Sequence, residues 1–361
     1  EAKNKPGVAK TKFAESAMQE YGKASNELFT QFVARIAQEI PNATLAMFSK
    51  LKYVNAPNFE KFREVWNAEY RDGFIVHSKA FEGLKGDFPI GFLIWKLDQN
   101  AKNKTPITEV ITEVLDKEAR PIGEKRFYNL PTKTYLNTWI KRSKANKQDV
   151  VPLVNSVDVT KGKAWVKTWS DGAVAYMCTG TNDLQNAAKY TFVLSSVASR
   201  GHGMYLNKEN IELASVLFTI QRIIKPTWIN DRDQFLQPTE PLSEEFKNDC
   251  LIWMLFNGSN LTASANDLEW NNKNWSIVNH FIPFTEEEVG SPERFESDFM
   301  VKYMSDKVFS EEAQKVLEEG KKLWQAYYKE IDTRSVRDEL KLNRADVGWY
   351  QIRNALKKRN E

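Results

Sequence analysis

Thr44-Leu-Ala-Met-Phe48, Gly73-Phe-Ile-Val-His77 and Ile90-Gly-Phe-Leu-Ile-Trp-Lys-Leu97 are three short apolar runs, and their surroundings decide the fold. Runs of this length and composition read as strands buried on both faces. Ahead of the first lies a segment that Ser25 can cap, with Leu28, Phe29, Phe32, Val33, Ile36 and Ile40 at helical spacing; Pro41-Asn42 ends it. After Asn55-Ala-Pro57, a second amphipathic helix places Phe59, Phe62, Val65 and Trp66 on one side. Helix, strand, helix, strand, strand is the back half of an open α/β sheet. The segment joining the last two strands is too short for a helical crossover, so that pair should run antiparallel.

Beyond Asp98 the texture changes. Asn100-Ala-Lys-Asn-Lys-Thr-Pro106 is a polar linker, and Ile107–Leu115 and Ile122–Tyr128 alternate about a turn at Arg120-Pro121, a hairpin pattern. The spacing predicts a helix over 134–144, short strands at 164–169, 174–178 and 191–194, and helices over 208–222 and 243–256. From Pro292 the pattern is helical again, with Ser310 capping 311–330 and a last helix over 349–358. The expectation is therefore α/β plus α+β: an α/β part over 1–98, a mixed α+β region over 99–290 and a helical C-terminal segment over 291–361.

Composition narrows the class. The 361 residues are 42% hydrophobic and 27% charged, which excludes a disordered or collagen-like chain and fits a soluble protein of two or three domains. No apolar run approaches the ~20 residues of a membrane span, and the polar, basic opening is no secretory signal, so a cytoplasmic setting with no membrane partner is the default. Two cysteines and three histidines supply neither a disulfide framework nor a metal cage, and no metal is expected. The chain opens on Glu and not on Met, which points to a piece of something longer.

The net charge of +3 conceals a strong asymmetry. Residues 117–147 hold nine Lys and Arg against Glu118 and Glu124, whereas 284–298 hold six acidic residues against Arg294. Within the basic stretch, Lys125, Arg126, Lys141, Arg142 and Lys144 interleave with Tyr128, Tyr135 and Trp139. Cations neutralise phosphates and aromatic rings stack on bases, so this is a candidate DNA-binding surface. A solvated face with aromatics buried beneath it is the equal alternative. Arg200 and His202 lie in a Gly-flanked loop, as a solvated loop or as a phosphate or base contact. His77, on a buried strand, reads as a satisfied core residue. Asp233, Glu245 and Lys247 mimic a metal-dependent nuclease triad, but Glu245-Phe-Lys247 opens a helix instead of ending a strand. No Gly-rich phosphate loop and no Gly-x-Ser-x-Gly elbow is present.

Asn26-Glu-Leu-Phe-Thr-Gln-Phe-Val-Ala-Arg-Ile36, then Ala43-Thr-Leu-Ala-Met-Phe-Ser-Lys50, then Asn58-Phe-Glu-Lys-Phe-Arg63 form an order that resembles the amino-methyltransferases of adenine in DNA. The resemblance begins just after their Asn-Pro-Pro-Tyr motif. Ser78-Lys-Ala-Phe81-Glu-Gly-Leu-Lys-Gly-Asp-Phe88-Pro, leading into an apolar strand, continues it. Val197–Gly203, Thr227-Trp-Ile-Asn-Asp-Arg-Asp233 and Gly348-Trp-Tyr-Gln-Ile-Arg353 resemble the target-recognition half of long restriction–modification methyltransferases.

This resemblance implies the C-terminal half of a methyltransferase-type open sheet, followed by a target-recognition region. It implies duplex DNA as partner, S-adenosylmethionine as the cofactor of the complete enzyme, and stacking of Phe81 on an extruded adenine. The departure is plain: the glycine-rich cofactor loop and Asn-Pro-Pro-Tyr are both missing, so no catalytic residue is assigned in this chain. The expectation is DNA binding and target recognition within an adenine-specific methyltransferase, working with the missing half or a partner subunit. A DNA-specificity module without catalysis of its own is the alternative. The sheet of residues 25–98 should be incomplete, with an edge where further strands would pair.

Overall fold

The computed structural model describes residues 11–104, 106–142, 148–149, 168–169, 174–194, 203–258, 260–270, 272–292, 294–295, 298–330 and 349–350. The protein is mixed α/β and divides into two compact units. One comprises Glu1–Tyr135 with Asp183–Gln185 and Lys225–Phe235; the other comprises Leu136–Asn182, Asn186–Ile224 and Leu236–Glu361. Among the described residues no helix is long and apolar enough to cross a membrane.

The first unit opens with α1 (Lys12–Ala17) and α2 (Leu28–Glu39), then β1 (Thr44–Lys50), α3 (Lys52–Asn55) and α4 (Glu60–Val65). After these come β2 (Ala68–His77), β3 (Pro89–Leu97), β4 (Glu109–Leu115) and β5 (Pro121–Tyr128). The five strands make one sheet in the order β1-β3-β2-β4-β5. β3 lies antiparallel between β1 and β2, as the short connection requires; β4 is parallel to β2, and β5 is antiparallel to β4. The three parallel strands therefore end together, at Lys50, His77 and Leu115. β1 has one described neighbour, so its outer side is a sheet edge.

Among the described residues of this unit, helices cover one face of the sheet. Phe59, Phe62, Trp66, Tyr53, Tyr21 and Trp95 form an aromatic core beneath α2 and α4, and the Trp95 indole N–H donates to the Tyr53 hydroxyl at 3.0 Å. Burial pushes that phenol up to about 12. The Phe-x-x-Phe-Arg helix has a structural use here: Arg63 donates to the carbonyls of Tyr53 and Ala56 at 3.2 and 3.0 Å, pinning α4 to the turn after α3. Gly73, just past a bulge at Arg71 in β2, has φ +155°, and a Cβ there would meet the Phe92 carbonyl oxygen at 2.5 Å. Only glycine fits so close a backbone approach.

Two expectations are corrected here. Thr44–Phe48 is not buried on both faces: burial alternates along β1, Leu45 facing the helices while Phe48 is 49% exposed. The buried side of α2 is rotated relative to its apolar stripe: Val33 goes inward and Phe29 and Ile36 pack against the core, together with Thr30, Gln31, Ala34 and Ala37, while Leu28, Phe32 and Ile40 stay exposed. Hydrogen bonding makes that orientation tolerable. The Thr30 hydroxyl donates to the Glu27 carbonyl (2.7 Å), and the Gln31 amide donates to the Ser25 carbonyl (2.7 Å) and accepts from Thr11 (2.8 Å).

In the second unit, β6 (Gln148–Asp149) pairs with β7 (Thr168–Trp169). β8 (Ala175–Thr179) lies between β9 (Thr191–Leu194) and β10 (Gly203–Leu206), with α5 (Leu184–Tyr190) preceding β9. α6 (Ile211–Ile223) is buried over most of its surface and packs on α7 (Glu244–Asn257), whose cap Ser243 accepts from the Phe246 N–H. Strands β11 (Asn260–Trp270) and β12 (Lys273–Phe281) form a hairpin joined by β13 (Trp349–Tyr350), a strand where the sequence pattern suggested a helix. Short α8 (Glu286–Val289) and α9 (Phe299–Met304) lead to α10 (Glu311–Glu330), whose Ser310 cap accepts from the Ala313 N–H at 3.1 Å. Over 134–142, the described part of the helix expected at 134–144, no such helix forms. Single 3-10 turns at Thr132–Thr134 and Leu136–Thr138 stand there, where three β-branched Thr and Pro131 weaken helix formation.

Candidate functional site

In open α/β sheets the carboxyl ends of parallel strands are where ligands gather. In the first unit that end carries the loop between β2 and β3. Ser78, fully buried, closes the loop: its N–H donates to the Phe88 carbonyl at 3.0 Å and its hydroxyl to the Gly86 carbonyl at 2.7 Å. The Lys79 N–H donates to His77 Nδ1 at 3.0 Å, so His77 is held by the loop it precedes. The other face of the imidazole meets the Trp228 indole at 4.9 Å, which agrees with a satisfied, packed histidine. Lys79 Nζ reaches Asp87 at 2.6 Å and holds that carboxyl below its ordinary range.

Phe81 lies on this loop. It is half-buried, and Glu82–Asp87 after it are all exposed. Its one ring partner is Phe48, edge-on at 5.3 Å, itself half exposed. Beside it, Lys50 Nζ lies 5.1 Å from the centre of the Phe88 ring.

Lys50 and Phe88 border a cavity of about 60 Å³, also lined by Lys52, Phe127, Asp231 and Arg232. That volume holds only about four waters. Asp231 is 5% exposed, and burial pushes its carboxyl upward against the pull of Arg232, whose Nε is 3.1 Å away. No cluster of His, Cys, Asp and Glu among the described residues could hold a metal.

The basic stretch does not present all its cations outward. Lys125 and Arg126 are consecutive on β5 and point to opposite faces. Lys125 turns inward to an ion pair with Asp233 and lies 5.4 Å from the Phe127 ring centre; burial raises the Asp233 carboxyl despite that partner. Arg126 is exposed and pairs with Glu109 at 2.6 Å. Lys141 and Arg142 are exposed and belong to the second unit. Lys144, Arg200 and His202 lie outside the described residues. Of the nuclease-like trio, Asp233 is engaged with Lys125, and Lys247 with Glu212 at 2.8 Å and with Glu244.

Sequence reasoning missed Lys50, Phe48, Asp231 and Arg232 as neighbours of this loop. The segment Lys225–Phe235 comes into the first unit from roughly 150 residues away, where no local period can announce a pairing. No family model, no curated protein and no solved structure matches the chain.

Proposed function

We propose that this chain is the distal part of the catalytic domain and the target-recognition region of an adenine-specific DNA methyltransferase of restriction–modification type. The observation that carries the reading is the junction of β2 and β3. There a half-exposed aromatic, Phe81, follows the carboxyl end of a parallel strand and precedes a closing strand antiparallel to it. Methylating a base edge requires extruding the base, and a ring held at a strand end recovers part of the stacking energy lost. The exposed cations Lys141 and Arg142 suit phosphate contacts, whereas Arg126 is held by Glu109.

The residues present do not fit S-adenosylmethionine. Neither β1 nor β2 runs into its following helical turn through a glycine loop. Methyl transfer therefore belongs to a partner that carries the cofactor loop and the Asn-Pro-Pro-Tyr motif. This chain supplies DNA binding and the stacking ring. The free edge of β1 is compatible with strand addition by such a partner.

The test is transfer of a labelled methyl group to duplex DNA, with and without a methyltransferase fragment bearing the two missing motifs. Label on adenine N6 only when both proteins are present supports the reading. DNA binding by the chain with no transfer in either mixture favours a specificity module without catalysis. No binding to duplex DNA sinks both.

A further inference from the structure

We propose that the helix-free face of the five-stranded sheet seats an amphipathic helix of a partner protein, one whose apolar stripe is flanked on one side by Lys and Arg. Phe48, Phe92 and Phe74 are direct cross-strand neighbours on β1, β3 and β2, with ring centroids 4.8 and 5.5 Å apart. Ile94 and Ile111 continue this surface, and Phe48 and Ile111 are 49% and 40% exposed. A contiguous apolar patch of this kind marks an interaction site, and a sheet face is ordinarily buried under a second layer.

The chemistry at the end of the row selects the occupant. Phe74 is followed on β4 by Glu113, whose direct partner on β5 is Glu124, and Asp72 borders the same groove of about 450 Å³. Like charges directly opposite each other destabilise a strand pair. Asp72, Glu113 and Glu124 form no close ion pair among the described residues; Arg126 pairs with Glu109 and acts on Glu124 only through a weaker, longer-range attraction. Lys or Arg on one flank of an incoming helix relieves that repulsion while its apolar stripe covers the phenyl row.

Other occupants fit worse. Nucleic acid would bring phosphates against three carboxylates. A second copy packed face to face would set carboxylates against either carboxylates or phenyl rings. The inference does not depend on the methyltransferase reading.

The experiment uses the full chain and a fluorescent synthetic helix of about 18 residues, long enough to be helical alone. It has Leu along one stripe and Lys along one flank, and a twin has Glu in place of each Lys. The Lys peptide should bind roughly tenfold or more tightly than its twin. Phe48→Ser should weaken it by a similar factor, and Glu113→Gln with Glu124→Gln should erase the difference between twins. The double variant is wholly exposed, so it decides the matter even if Phe48→Ser fails to fold. Equal affinity of the twins, or binding untouched by both variants, overturns the proposal. Concentration-dependent dimerisation abolished by Phe48→Ser assigns the face to a second copy and overturns it also.

Discussion

Phe62→Ala and Phe81→Ala remove the same side chain from two environments 19 residues apart, and they should differ sharply in stability. Phe62 is 0% exposed and its ring lies 5.3–6.3 Å from those of Trp66, Tyr21, Tyr53 and Phe59. Truncation there loses the transfer energy of the ring and leaves a cavity, about 3–5 kcal/mol. The several aromatic pairs put the cost at the upper end, since each pair adds about 0.5–1.5 kcal/mol beyond area burial. Phe81 has one ring partner, which is half exposed, and gives up about 1 kcal/mol or less by the same measure. Urea unfolding followed by tryptophan fluorescence reads the contrast. With a slope of about 2 kcal/mol per molar urea, Phe62→Ala should lower the midpoint by roughly 2 M and Phe81→Ala by less than 0.5 M. A Phe81→Ala variant that loses as much as Phe62→Ala would return the residue to the core and remove the basis for a stacking role.

Gly73→Ala should cost about 2–3 kcal/mol or prevent folding, because a Cβ at φ +155° would press on the Phe92 carbonyl; soluble yield and melting temperature check it. Lys125→Ala should lower stability by about 1–3 kcal/mol through the carboxylate it strands on Asp233, whereas Arg126→Ala, at an exposed pair, should leave the melting temperature almost unchanged; parallel melts distinguish them. Replacing Arg126, Lys141, Arg142 and Lys144 together should flatten the salt dependence of DNA binding by about one unit of slope per lost phosphate contact, and an unchanged slope assigns them to a solvated face. Glu212 is held below its ordinary value of 4.5: burial opposes this, but Lys247 at 2.8 Å and Lys307 at 3.4 Å prevail. A depressed carboxylate contributes stability that is present above its unfolded value and lost as pH falls through the folded one. The stability difference between wild type and Glu212→Gln should therefore shrink as the pH drops below 4.5.

Local pattern carried the sequence reading where the determinants were local. The strands of the first unit, the antiparallel β2–β3 pair, the 107–128 hairpin and the Ser310 cap all follow from apolar period, connection length and capping chemistry. Non-local pairing was hidden. Nothing in Ile107–Leu115 says that β4 joins the sheet through β2, since a half-buried strand matches any edge that offers an apolar face. The orientation of α2 escaped because Thr30 and Gln31 enter the core through hydrogen bonds that a hydrophobicity pattern does not register. At the candidate site, Phe81 was singled out only by the methyltransferase resemblance, since an aromatic after a strand pattern reads equally as core. The inward turn of Lys125 was not legible: its partner Asp233 is 108 residues away, and a charge count treats a buried cation and an exposed one alike.

The most direct test of the methyltransferase reading is the fluorescence of 2-aminopurine placed in turn at each adenine of candidate duplexes. It is read on adding the chain together with a fragment that carries the cofactor loop and the Asn-Pro-Pro-Tyr motif. Extrusion should raise the fluorescence at one position only. Phe81→Ala should weaken that complex by about 1–3 kcal/mol, the range of aromatic–base stacking, while leaving the fold intact. Duplexes bound with no change at any adenine, or an extruded base indifferent to Phe81→Ala, would contradict the account.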